Sequence, residues 1–248
     1  MFSIRDLAEL YGLPEETVEE ILLAALSRSL TNSFGYEVEA LMNDAGALEL
    51  YGYPSRHGEL QVRCIPLERI GRSVIRQIRR TLTEKLVRRR ILQEYDLLRQ
   101  LTGRVLEGMV TKTVESGPIF VKLYHDDLCI GKNTVAGTCS FRSQTPRERQ
   151  NYRPGDVLAF QVLKILPVSA DGMPRIDIFL SRNSKGLVEG LLMKQLRQDR
   201  AMGSTKVRCV KRIAGAYSVI ESPVPLPLKA VKNVSDELKE YVRVVRSR

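Results

Sequence analysis

The sequence predicts an α+β multidomain protein: a helical N-terminal domain with a small antiparallel sheet, a central β-barrel and a shortened α+β unit. Three observations carry this reading. Apolar residues recur at helical spacing near the start and again from Leu67 to Leu98. Between those two runs, three short segments alternate with period two. From Leu101 to Arg182, several more alternating segments are bounded by Gly and Pro turns, the pattern of a small barrel. The domains expected are 1–100, 101–183 and 184–248.

Composition narrows the partners. The 248 residues carry 39 Lys+Arg against 29 Asp+Glu, a formal charge of +10. Such an excess suits a polyanion, either nucleic acid or an anionic membrane surface, although a basic soluble protein satisfies it too. No stretch approaches the roughly 20 apolar residues of a membrane span. The start, MFSIRDLAELYG, lacks a basic region and an apolar core, so no signal peptide is expected. Cys64, Cys129, Cys139 and Cys209 show no CxxC spacing. This argues against a metal site or disulfide framework and for reduced thiols in the cytoplasm. Neither a cofactor nor a membrane partner is expected.

In chain order, Ser3 opens a short helix carrying Leu7 and Leu10 and ending at Gly12. Pro14 suits the first turn of a second helix, with Glu15 and Glu16 near its positive end. Val18, Ile21, Leu22, Ala25 and Leu26 form its buried face. The pair looks like a helix-turn-helix, but its exposed positions are Glu15, Glu16, Glu19 and Glu20, which phosphates repel. A DNA-reading role is therefore rejected. Tyr36–Ala40, Ala47–Tyr53 and Gln61–Ile65 are the strands of the small sheet.

A long amphipathic helix follows, with room for one break. Ile70, Val74, Ile75, Ile78, Leu82, Leu86, Ile91, Tyr95 and Leu98 form its apolar face. The other faces carry Arg72, Arg76, Arg79, Arg80, Lys85, Arg88, Arg89 and Arg90. Like charges on neighbouring turns repel one another, so this face suits RNA or an acidic protein surface. A solvated charge run remains the plain alternative, and a membrane-lying helix is disfavoured because the apolar face is already used as core.

In the barrel, Ile119, Val121 and Leu123 alternate with Phe120, Lys122 and Tyr124. Strand side chains alternate faces, so the second set shares the outer surface. Rings flanking a cation can stack bases and meet a phosphate; alternatively, they pack on a neighbouring element. Phe141, Arg142, Arg147, Arg149 and Arg153 follow in a basic loop and join the candidate RNA contacts. Asn151–Asp156 and Pro167–Pro174 are expected turns, and Arg175–Arg182 supplies the last strand.

Gly108-Met-Val, YRPGDVLAFQV and the strand ending Phe179-Leu-Ser-Arg resemble an S1 domain, an OB-type barrel that binds single-stranded RNA. Their order after ERIGRSVIRQIRRTL and before LSRNSKGLVEGLL is similar to that in the bacterial transcription elongation and termination factor family NusA. The resemblance implies RNA polymerase, nascent single-stranded RNA and further elongation factors as partners, and a monomer in the free form.

After Asn183, the order helix, two strands, helix and strand looks like a KH domain of the prokaryotic type. A KH domain grips backbone phosphates with a GxxG loop between two helices. Here Ser222-Pro-Val-Pro-Leu-Pro-Leu-Lys stands in that region without a glycine. A shortened KH-like unit without that grip is expected. Lys206, Arg208, Lys211 and Arg212 are candidate nonspecific phosphate contacts or a solvated strand face.

The leading expectation is a non-enzymatic transcription factor. A stand-alone RNA-binding or ribosome-associated protein, and a structural subunit of a transcription assembly, are the alternatives. His125-Asp126-Asp127 is the one acid–base cluster, and it has neither a nucleophile nor a Gly-rich phosphate loop beside it.

Overall fold

The computed structural model describes residues 3–56, 59–124, 134–170, 173–198 and 206–246. His57, the His125–Asp127 cluster and Cys129 lie outside them. The described chain is α+β, with five α-helices, and divides into two compact units, Met1–Gln93 and Glu94–Arg248.

The first unit opens with α1 (Ile4–Tyr11) and α2 (Glu15–Phe34). Pro14 sits at the N-cap of α2, one residue before the expected first turn, and Glu15 and Glu16 occupy the positive end. Strands β1 (Glu37–Met42), β2 (Leu48–Tyr53) and β5 (Arg63–Cys64) form an antiparallel sheet, while β3 (Ser55–Arg56) and β4 (Glu59–Leu60) make a separate hairpin. Asn43 builds the β1–β2 turn, its carboxamide oxygen accepting from the amides of Ala45 and Ala47. Period two in β1 turns Val38 and Ala40 inward, where they pack with Leu26, Leu30, Leu50, Ile65 and Ile78.

Helix α3 (Arg72–Leu98) is continuous through 27 residues, so the allowed break does not occur. Ile78, Leu82 and Leu86 recur every four residues and are buried in the first unit. Ile75, expected in the core, is instead exposed. Val74 takes the packing position of that turn, and the next residue lies about 100° further round the helix.

In the second unit, the end of α3 and Leu101 contribute to the core of a closed barrel with strand order β10-β8-β7-β6-β9. These strands are β6 (Val105–Thr113), β7 (Ile119–Tyr124), β8 (Thr134–Cys139), β9 (Val157–Ala170) and β10 (Met173–Ser181). Val110, Val121, Leu123, Phe160, Val162 and Leu180 fill the interior. Gly108 faces inward, where a β-carbon would stand 2.5 Å from the Val121 side chain. A larger residue here would force the wall apart.

The turn expected over Pro167–Pro174 is mostly strand. Pro167 pairs with Ile176, and Pro174 with Ser169. Beyond Gln161, β9 pairs only with β10 among the described residues, and a proline lacking an N–H is tolerated on such a free edge.

The unit ends with α4 (Lys185–Gln198), β11 (Arg208–Ile213), β12 (Tyr217–Ser222), α5 (Leu228–Leu238) and β13 (Tyr241–Arg246). Strand β12 lies between an antiparallel β11 and a parallel β13. Leu187, Leu192, Leu196, Ile220, Val234 and Leu238 form the core beneath the sheet, and barrel residue Ala159 joins it. No helix intervenes between β12 and α5. Pro223, Pro225 and Pro227 punctuate that connection, and the Val224 amide is directed to the Ser222 hydroxyl.

Candidate nucleic-acid interface

Strand β7 carries the candidate strip, and its residues alternate buried and exposed without a fault. Ile119, Val121 and Leu123 point into the barrel; Phe120, Lys122 and Tyr124 point out. Phe120 is 37% exposed and Tyr124 40%. Register sets Phe120 beside Thr138, Lys122 beside Ala136 and Tyr124 beside Thr134. Short neighbours on β8 thus leave the rings standing above the surface.

Phe120 and Lys122 line a groove of about 560 Å³, whose other lining residues include Thr111, Thr138, Arg175 and Asp177. Arg175 and Asp177 form an ion pair at 3.0 Å along one strand face. Thr111 donates its hydroxyl to the Phe120 carbonyl, bracing the first ring's backbone. Such a surface offers stacking rings, cations and hydroxyl groups along one shallow path, the combination that holds single strands without reading an edge code. Alternation made Phe120, Lys122 and Tyr124 legible in the sequence. The contributions from β6, β8 and β10 were missed, because strand order determines which segments adjoin β7.

The basic loop leaves the end of β8 through a short 3-10 turn (Phe141–Ser143). Gln144, Thr145, Glu148 and Tyr152 are buried. Gln144 donates to the Gly117 and Cys139 carbonyls, and Thr145 to that of Arg182, so the loop is tied to both β7's entry and β10's exit. Arg142, Arg147 and Arg153 remain exposed. Arg149 is half-buried, with its guanidinium carbon 4.2 Å from the Phe141 ring centre. The two therefore act as one stacked unit. Gly215, at φ 78°, closes against this loop, and a β-carbon there would stand 2.9 Å from the Thr145 methyl.

Anchoring comes from Arg182, which sequence reading treated only as a strand end. It is fully buried and donates to both Glu148 carboxylate oxygens, at 3.1 and 2.8 Å. It also reaches the Ala159 carbonyl at 2.9 Å and Glu237 of α5 at 3.0 Å. Burial works against the Glu148 charge, but Arg182 outweighs it and holds the carboxyl below its ordinary value. Burial also raises the Tyr152 phenol, which donates to Glu148. No local pattern marks an arginine whose partners lie 34 and 55 residues away.

Arg212, offered as a phosphate contact, is corrected to a structural role. Its side chain is buried against Glu240, whose carboxylate also accepts from the Gly215 amide and the Ser218 hydroxyl. It also donates to the Ser184 carbonyl. With its side chain out of water, this guanidinium is not presented to RNA.

On α3, Arg72, Arg76, Arg79, Arg80, Arg88, Arg89 and Arg90 are all exposed, whereas Lys85 is half-buried. Arg80 pairs with Glu84 at 2.9 Å. Among the described residues, Arg72, Arg76, Arg88, Arg89 and Arg90 have no ion-pair partner. Helical rotation brings Arg72, Arg76 and Arg90 to one side.

Among the described residues, no group of His, Cys, Asp and Glu could hold a metal ion, and no helix is long and apolar enough to cross a membrane. No protein-family model matches the chain. A curated protein does: the chain is 29% identical over 156 residues to the transcription termination/antitermination protein NusA of Thermus thermophilus. That match covers 62% of this chain and 35% of the relative, so the chain is similar to about a third of NusA's length.

Proposed function

We propose that this chain is a NusA-like, non-enzymatic transcription factor that binds RNA polymerase near the RNA exit channel and touches nascent single-stranded RNA. In this reading, residues 1–100 dock on polymerase, and 101–183 form an S1 barrel that follows the RNA. Residues 184–248 are a KH-like unit that lacks the GxxG grip. The factor is a cytoplasmic monomer when free, and other elongation factors join it on polymerase.

The observation that carries the reading is the outward strip Phe120–Lys122–Tyr124 beside a groove on a closed five-stranded barrel. The partial similarity to NusA and the density of exposed arginine on α3 support it. Individually weak contacts suffice if polymerase docking holds the barrel near the transcript, because tethering raises effective concentration. The factor then biases pausing, hairpin formation and termination.

A pull-down of polymerase by the tagged chain after nuclease treatment tests the proposal. Retained polymerase is expected. Loss of polymerase with RNA binding intact would instead give a stand-alone RNA-binding or ribosome-associated protein. Loss of both would point to a structural subunit.

A further inference from the structure

The outer face of the C-terminal sheet has a chemistry of its own. Strand registers place its outward residues in three rows. Ile213, Tyr217 and Tyr241 stand across one end, Lys211, Val219 and Arg243 across the middle, and Arg208, Glu221 and Val245 across the other end. Alternate residues of the same strands, among them Cys209, Ser218, Ile220 and Val242, are buried on the helix side. The three rows therefore project away from the core. Tyr241 is 67% exposed and Ile213 49%. The Lys211 ammonium lies 5.5 Å from the centre of the Tyr217 ring.

We infer that this sheet face is a second platform for single-stranded RNA, separate from the barrel groove. The inference rests on the reading that RNA is the chain's partner. Two tyrosines in register on adjacent strands are about 4.8 Å apart at the backbone, close enough to take neighbouring bases of one strand. The next row places Lys211 and Arg243 on either side of Val219, where the phosphates of a strand stacked on the tyrosines would run. Three cations, Arg208, Lys211 and Arg243, face one carboxylate, Glu221, so the face is complementary to a polyanion. Lys211 and Arg243 flank Val219 from the two outer strands, so a polyanion lying across the face meets a cation on each side. The platform needs no glycine loop, so the Pro-rich connection after β12 does not impair it.

The test uses the whole 248-residue chain and 4-thiouridine-containing oligouridine as probe. Tyr217→Ala with Tyr241→Ala should weaken binding about fivefold or more while leaving the thermal melt in place. Lys211→Gln with Arg243→Gln should reduce the slope of log affinity against log salt by about 1.4, at ~0.7 per single-strand phosphate contact. Photocrosslinks on the unaltered chain should fall on Tyr217 or Tyr241 and decide the matter if the tyrosine variant fails to fold. Unchanged affinity in a folded variant, or absence of those crosslinks, overturns the inference. Phe120→Ala with Tyr124→Ala, run in parallel, keeps the two surfaces distinct. Loss in that variant alone leaves the barrel reading standing without the sheet platform. Loss in the sheet variant alone does the reverse.

Discussion

Arg182, at the end of β10, and Glu148, in the basic loop, meet through two hydrogen bonds with the guanidinium wholly out of water. The pair links the last barrel strand to the loop that presents Arg142, Arg147 and Arg153. A further bond from the same guanidinium to Glu237 ties both to α5.

Removing one partner of this pair should be costly. Arg182→Met strands Glu148 without its cation, and breaking a buried pair in this way costs about 3–5 kcal/mol. Chemical denaturation of the whole chain would show it as a large fall in the transition midpoint of the second unit. A loss below about 1 kcal/mol would mean that the network is slack.

Acid should weaken the same unit. The Glu148 carboxyl titrates below its ordinary value in the folded chain, so its contribution is complete above the unfolded value of about 4.3. It is lost as pH falls through the lower folded value. Melting temperatures between neutral and acid pH should drop in that range, and Glu148→Gln should flatten the drop. An equally steep profile in the variant would assign the acid transition to other carboxylates.

Thiol chemistry offers a check on burial. Cys64 is exposed, whereas Cys139 and Cys209 are buried. Burial pushes the Cys139 thiol up to about 12 and raises that of Cys209. Alkylation at neutral pH, read by mass spectrometry, should label Cys64 at once and leave Cys139 and Cys209 until the chain is denatured. Early modification of Cys139 would mean that the barrel opens.

The barrel face should behave as a stacking surface. Phe120→Ala with Tyr124→Ala removes two half-exposed rings that pack little core, so the fold should persist. Stacking is worth ~1–3 kcal/mol per base, and fluorescence anisotropy with oligouridine should report a loss of about fivefold or more. An unchanged affinity would make the strip a packing surface.

The exposed arginines of α3 can be separated into RNA and protein contacts. Changing Arg72, Arg76 and Arg90 to Gln should reduce the salt slope of RNA binding by about 2 if they meet phosphates. An unchanged slope with weakened polymerase retention would assign the helix to an acidic protein surface.

How much was legible in the sequence follows from the reach of each signal. Period two placed Phe120, Lys122 and Tyr124 outside and Ile119, Val121 and Leu123 inside, because alternation is a property of the strand alone. Helical spacing found α2 and α3, and missed at Ile75 only because Val74 takes the packing position. Charge density marked the arginines of α3, which need no distant partner to be exposed. Tertiary structure decided which cations are free to bind anything. Arg182 and Arg212 resemble their exposed neighbours in sequence, yet chain closure brings them carboxylates from 34, 55 and 28 residues away and buries them. It also assembled the groove beside Phe120 and the rows containing Tyr217 and Tyr241, since strand order and register are set by packing between segments. The sequence by itself determined the elements and the faces they present; only the closed chain determined which of those faces meet each other and which are left for a partner.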